Sequence, residues 1–171
     1  MFRCNHRTRT LIAALAIALL AQASPAALKE GDALPDLASF KLEGKLPDSL
    51  KGQVILLDFW ASWCGPCKKS FPAMQALHKQ HAEQGLTIIA VSVDDNPKDM
   101  QRFLKDANVS FATVRDSGHK LVAAADVSAM PTSFLIDRAG KVRFVHNGFQ
   151  GDATVKKYQQ QIQQLLKEPA P

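Results

Sequence analysis

The run Asp58-Phe59-Trp60-Ala61-Ser62-Trp63-Cys64-Gly65-Pro66-Cys67-Lys68 joins two kinds of local structure. Upstream of it, Val54-Ile55-Leu56-Leu57 continues into Asp58-Phe59, a near-continuous apolar stretch that begins just after Gly52. Such a stretch predicts a central strand buried on both faces. Asp58 is its one charge, so the strand carries a carboxyl into the interior. Downstream, a helix is expected to begin just after Cys64, with Pro66 tolerated in its first turn, and to run toward Gln84 and stop at Gly85. Met74, Leu77, His78 and His81 lie at helical spacing, and Pro72 is expected to kink the helix.

Outward from this centre, strands and helices alternate. Leu86–Val93 reads as a β-branched strand. Asn96-Pro97 opens a helix with Met100, Phe103, Leu104 and Ala107 at i, i+3, i+4 and i+7. Phe111–Val114 is a short strand and Lys120–Ala125 a brief helix. Thr132–Ile136 and Val142–His146 flank Arg138-Ala139-Gly140-Lys141, a hairpin connection. The last helix starts near Asp152 and buries Val155, Ile162, Leu165 and Leu166. Toward the N-terminus, Ser39–Leu42 reads as a short strand. This order predicts an α/β domain with a mixed central sheet and helices on both faces. The cysteine loop follows a parallel strand, where such folds place their chemistry.

The chain ends qualify the composition. Arg3, Arg7 and Arg9 precede the uncharged run Leu11–Leu20, and Ala21-Gln22-Ala23 offers a small-residue cleavage site, as does Ser24-Pro25-Ala26. This is the pattern of a Sec-type signal peptide over residues 1–23, with an uncleaved anchor as the alternative. No Arg-Arg pair suggests a twin-arginine signal, and Cys4 would leave with the segment. Residues 24–38 form an Ala- and Pro-rich extension, and residues 39–168 the domain. Removing residues 1–23 lowers the formal charge from +5 to +2. The basicity therefore belongs mostly to targeting, and no nucleic-acid partner is implied.

Cys64 and Cys67 then remain, spaced C-x-x-C. In an exported protein a structural disulfide must be weighed. It would close a very short loop, where loop-closure stabilisation is smallest. Redox exchange is the stronger reading. It needs an exposed thiolate, a second thiol to resolve the mixed disulfide, and a nearby proton acceptor. Cys64 would face the unpaired amides of the first helical turn, which favour its thiolate. Cys64 is assigned as nucleophile and the more buried Cys67 as resolving thiol. Asp58 is the candidate acceptor, because burial raises a carboxyl's proton affinity toward neutral pH. A zinc site would need two more ligands, and haem attachment needs His where Lys68 stands. A thiolate copper site stays open. Trp63 and Met130 are candidate substrate contacts, whereas Trp60 is read as packing. His78, His81 and His146 fit no ligand motif. A cis bond at Met130-Pro131 would bare backbone for pairing with a client peptide, but cis is uncommon on composition alone.

The run Asp58–Lys68 resembles the active-site segment of thioredoxins almost residue for residue, and Met130–Lys141 resembles their cis-proline strand and hairpin. Gly31-Asp32-Ala33-Leu34-Pro35, Asp48-Ser49-Leu50-Lys51-Gly52 and the signal peptide resemble the exported TlpA/ResA-like branch. The resemblance implies the thioredoxin fold and a Cys64–Cys67 redox disulfide. It also implies a cis Pro131 and, at Asp58, the buried acid of thioredoxins. It implies no cofactor or metal, protein or peptide disulfide substrates, and a membrane thiol electron donor of the CcdA/DsbD kind. Two positions depart from it. Ser70 stands where many TlpA-like proteins carry Glu, and Ala90 where many thioredoxins place a Lys beside the acid. A peroxidase is disfavoured, because peroxiredoxins place Thr three residues before their reactive Cys and here that residue is Ala61. The expected function is reduction of disulfides in exported proteins, since the Gly65-Pro66 dipeptide resembles low-potential thioredoxin. The alternatives are a copper chaperone or an oxidant of exported proteins.

Overall fold

The computed structural model describes residues 27–170. The expected signal segment and the first residues of the N-terminal extension lie outside the described residues.

The apolar run becomes β2 (Val54–Trp60), and all seven of its residues are buried. It is the spine of a six-stranded mixed sheet ordered β1-β4-β3-β2-β5-β6. The other strands are β1 (Glu43–Gly44), β3 (Leu86–Ser92), β4 (Ala112–Arg115), β5 (Thr132–Ile136) and β6 (Val142–Asn147). β2, β3 and β4 run parallel, and β1, β5 and β6 add antiparallel pairings at both sides. The helices are α1 (Gly65–His81), α2 (Pro97–Ala107), α3 (Lys120–Ala124) and α4 (Asp152–Lys167).

Alternation along β2 divides the core. Val54, Leu56 and Trp60 join Cys64, Cys67, Phe71 and Met74 from the α1 side and Tyr158, Ile162 and Leu165 from α4. Ile55, Leu57 and Phe59 face the opposite layer with Leu121 of α3 and Leu37. Asp58 shares the parity of Leu56 and Trp60, so its side chain belongs to the cysteine-bearing face.

Three expectations are corrected. Ser39–Leu42 is not a strand: Leu37–Phe40 forms a 3-10 turn whose N-cap, Asp36, accepts the Ala38 N–H at 3.1 Å. The strand comes later, at Glu43–Gly44, paired with Arg115 and Val114. Gly44 has φ +116°, and a Cβ there would lie 2.9 Å from the Thr113 carbonyl, so the close pairing requires glycine. α1 ends at His81 and tightens into a 3-10 turn, Ala82–Gln84, before the left-handed Gly85. It runs unbroken through Pro72, which lies on its exposed face. In α4 the buried stripe is Thr154, Tyr158, Ile162 and Leu165, with Val155 and Leu166 only half-buried. The stripe is rotated by about one position because Tyr158 occupies the inward place.

Candidate active site

Cys64 caps α1. Its backbone is extended (φ −83°, ψ 108°), and its Sγ accepts the Cys67 N–H at 3.2 Å. A sulfur at this place takes up an otherwise unpaired amide of the first turn and sits at the positive end of the helix. Pro66 lies in that turn, where its missing N–H costs nothing. Cys64 and Cys67 are joined in a disulfide with Cα atoms 5.3 Å apart. Cys67 is fully buried, and Cys64 is 5% exposed. Cys64 is thus far less open than an exposed thiol, because its Sγ lies 3.6 Å from the Met130 carbonyl oxygen. With the sulfur in a disulfide this is a contact, since no S–H is left to donate.

Met130-Pro131 is cis, and it brings the Met130 carbonyl to Cys64. The loop is pinned on both sides. The Gly148 N–H donates to the Pro131 carbonyl at 2.7 Å, and the Thr132 hydroxyl reaches the Ala129 carbonyl at 2.8 Å. Trp63 stands beside Cys64 and is 70% exposed, the one large apolar side chain so exposed among the described residues. Trp60 is buried against Phe71 and Phe103, with ring centroids 4.6 and 5.0 Å away. Two open cavities adjoin these residues. One, of about 330 Å³, is lined by Trp63, Ser62, Lys68 and Phe103. The other, of about 450 Å³, is lined by Met130, Val93, His119 and Val122.

Asp58 is wholly buried. Its neighbour across β2 and β3 is Ala90, so no lysine partners it. Its partner comes from β5: Ser133, in register with Asp58, donates a hydrogen bond to Oδ1. Ser133 Oγ is in turn 2.7 Å from the Tyr158 hydroxyl on α4. Burial pushes the Asp58 carboxyl up to about 7, against the opposing pull of the Ser133 hydrogen bond. The same burial, with the Asp58 charge nearby, pushes the Tyr158 hydroxyl up. Ser70 is buried and donates to the Cys67 carbonyl at 2.8 Å.

Trp63, Cys64 and Met130 are thus brought together at one edge of the fold, with Cys67 and Pro131 buried behind them and Asp58 on the cysteine-bearing face of the sheet. Three features escaped the sequence reading. Ser133 and Tyr158 are two. The third is Asp94, 2% exposed, whose carboxylate accepts the Ser62 N–H at 3.0 and 3.1 Å, the Ser62 hydroxyl at 2.7 Å and the Ser92 hydroxyl at 2.7 Å. It ties the turn before Cys64 to the end of β3. Tyr158 was visible as the aromatic four residues before Ile162, whereas Ser133 and Asp94 carry no local signal. No cluster of three or more His, Cys, Asp or Glu side chains that could hold a metal occurs among the described residues.

The profile of the Redoxin family matches residues 29–162. The thiol-disulfide oxidoreductase ResA of Bacillus subtilis is 36% identical over 133 residues, covering 77% of this chain and 74% of that protein. ResA of Geobacillus thermodenitrificans is 31% identical over 157 residues, 89% of this chain and 90% of its own. Among solved structures, a Chlorobium tepidum protein assigned as a thiol:disulfide interchange protein DsbE is 39% identical, with a TM-score of 0.75 over 82% of this chain and 99% of that one. With a C-x-x-C disulfide at the head of α1 and this fold around it, the chain belongs to the Redoxin family, as a ResA-like, thioredoxin-fold thiol-disulfide oxidoreductase.

Proposed function

We propose that the protein is a reductant, carrying two electrons to disulfides of exported proteins. The observation that carries thiol–disulfide exchange is Cys64 as helix cap, its sulfur on a first-turn amide and the exposed Trp63 beside it; the direction rests on the Gly65-Pro66 dipeptide between the cysteines. In the reduced protein the Cys64 thiolate attacks a client disulfide and expels one client thiolate. The Cys67 thiol then loses its proton to Asp58 and attacks Cys64 Sγ. The second client thiolate leaves and takes up a proton from solvent. The client gains two electrons, and the protein is left as the Cys64–Cys67 disulfide. Trp63 and the Met130 carbonyl flank the reacting sulfur and receive the client segment, with the cis Pro131 holding that carbonyl in place.

Such a cycle outside the cytoplasm needs resupply, and a membrane thiol carrier of the CcdA/DsbD kind is the proposed donor. Export by the segment 1–23, ahead of the extension 24–38 and the domain 39–168, belongs to the same reading. Its support is the sequence pattern Arg3–Ala23 and the likeness to ResA proteins. Trapping tests the roles. Cys67→Ser leaves the mixed disulfide unresolved, so clients are expected to stay bound to it under non-reducing conditions. Trapping by Cys64→Ser in place of Cys67→Ser would reverse the assignment.

A further inference from the structure

Asp58 sits in an unusual setting for a proton acceptor. Its register neighbours are Ala90 of β3 and Ser133 of β5, Tyr158 of α4 stands behind Ser133, and the parity of β2 puts its side chain on the face whose core contains Cys67 of α1. None of these bears a fixed charge. The next titratable group outward is His146 of β6, whose ring packs edge-on against Tyr158 at 4.9 Å. Its Nε2 is bound to Gln161 Oε1 at 2.7 Å, and burial lowers its proton affinity. Lys157 and Glu30 act on His146 with opposite signs. The proton balance of Asp58 is therefore set by burial and by hydroxyl groups rather than by a paired cation.

The hydroxyls have a fixed order. Ser133 has one hydrogen, and it points to Asp58 Oδ1. Its oxygen can then only accept from Tyr158, whose O–H has Ser133 as its partner. The other carboxyl oxygen, Oδ2, is buried and has no hydrogen-bond partner among the described residues. One oxygen is thus committed as an acceptor and the other is free to be protonated.

We propose that Ser133 and Tyr158 are positioning residues for the Asp58 acceptor. Their donor chain, Tyr158 to Ser133 to Asp58, occupies Oδ1 and leaves Oδ2 to receive the proton released by Cys67. The chain stands where a lysine is missing. It stabilises the carboxylate without a charge, and it keeps the carboxyl plane fixed while the proton comes and goes on the other oxygen. When Cys67 gives up its proton, Oδ2 binds it and the Ser133 hydrogen bond need not rearrange. On return to the reduced protein the same proton is handed back to the Cys67 thiolate.

The proposal rests on the reading of Asp58 as acceptor, and two readouts separate them. The first is the Asp58 carboxyl carbon resonance in a pH titration of the oxidised protein. The second is the pH midpoint of client-disulfide reduction. A hydrogen bond to a carboxylate favours its charged form, so its removal raises the midpoint. Ser133→Ala is expected to move the Asp58 titration up by about one pH unit, the equivalent of one hydrogen bond to a charged group. Tyr158→Phe is expected to move it up by less, Ser133→Thr to restore it, and the rate midpoint to follow in each. An Asp58 resonance unmoved in both Ser133→Ala and Tyr158→Phe overturns the donor chain, whatever the rates do. A resonance that moves while the rate midpoint stays put removes Asp58 from proton transfer and the positioning role with it, although the hydrogen bonds exist. Should Ser133→Ala fail to fold, Tyr158→Phe alone decides, since it removes only a hydroxyl.

Discussion

At the scale of the residue, the site depends on two sulfurs with different surroundings and one carboxyl with none of the usual compensation. Cys64 has a first-turn amide and the Met130 carbonyl beside it, and Cys67 is sealed in the core. Attack from outside is therefore open to Cys64 alone, and the step that frees the client must deprotonate a buried thiol. Asp58, held up near 7, is ionised in part at neutral pH and so can both take and return a proton. Asp58→Asn keeps the shape of the side chain and removes that capacity. Client reduction at pH 7 is expected to slow by roughly a hundredfold, the low end of the range typical of a positioned acid or base. Its pH dependence between about 6 and 8 is expected to flatten. Stopped-flow reduction of a disulfide substrate checks this, and unchanged rates across that range would make Asp58 structural. The charge of Asp58 within an apolar run was legible in the sequence because it broke a local pattern. Ser133 broke none: it lies between Thr132 and Phe134 as an ordinary strand residue. It matters only once β5 is laid against β2, 75 residues away in the chain.

At the scale of the element, β2 and α1 were readable because their signals are local. Seven consecutive buried residues, a cap, an early proline and the left-handed Gly85 all lie within one stretch. The misread elements are those whose local signals competed. Phe40 and Leu42 alternate as a strand's apolar residues do, whereas Leu37 and Phe40 share the three-residue spacing of the 3-10 turn that the Asp36 cap starts. In α4, Val155 and Tyr158 both stand at helical spacing from Ile162, and packing against Ser133 selects Tyr158. The join between β2 and α1 is braced from a third element. Asp94 at the end of β3 holds the Ser62 N–H and both the Ser62 and Ser92 hydroxyls. Asp94→Ala leaves these donors unpaired in a buried place, which costs on the order of 2–3 kcal/mol. Urea unfolding at pH 7 is expected to show that loss without a change in m-value. A variant as stable as the parent would show that the turn is held by Trp60 and its aromatic neighbours alone.

At the scale of the whole molecule, a buried acid near the centre of the sheet couples stability to pH. In the unfolded chain Asp58 ionises near pH 4, and in the folded protein near 7. Between these values the folded state holds a proton that the unfolded state has released. The contribution of this group to stability is therefore greatest below about pH 4 and is lost as pH rises toward 7. Asp58→Asn has no such dependence. Its stability relative to the parent is expected to rise from pH 4 to pH 8 by on the order of 2–4 kcal/mol. Denaturant unfolding of both proteins at the two pH values measures the difference, and a constant offset would mean that Asp58 ionises normally in the fold. The direction of electron flow also belongs to this scale, because it is set by the free-energy difference between the disulfide and dithiol forms of the entire protein. The Gly65-Pro66 dipeptide is the feature on which the proposed donor role rests. For this two-electron couple, about 30 mV corresponds to about 1.4 kcal/mol. Equilibration of the Cys64–Cys67 pair against glutathione or dithiothreitol gives its reduction potential. A value of roughly −220 to −280 mV is predicted for a reductant of exported disulfides, and a value near roughly −120 mV would contradict that account and make the protein an oxidant.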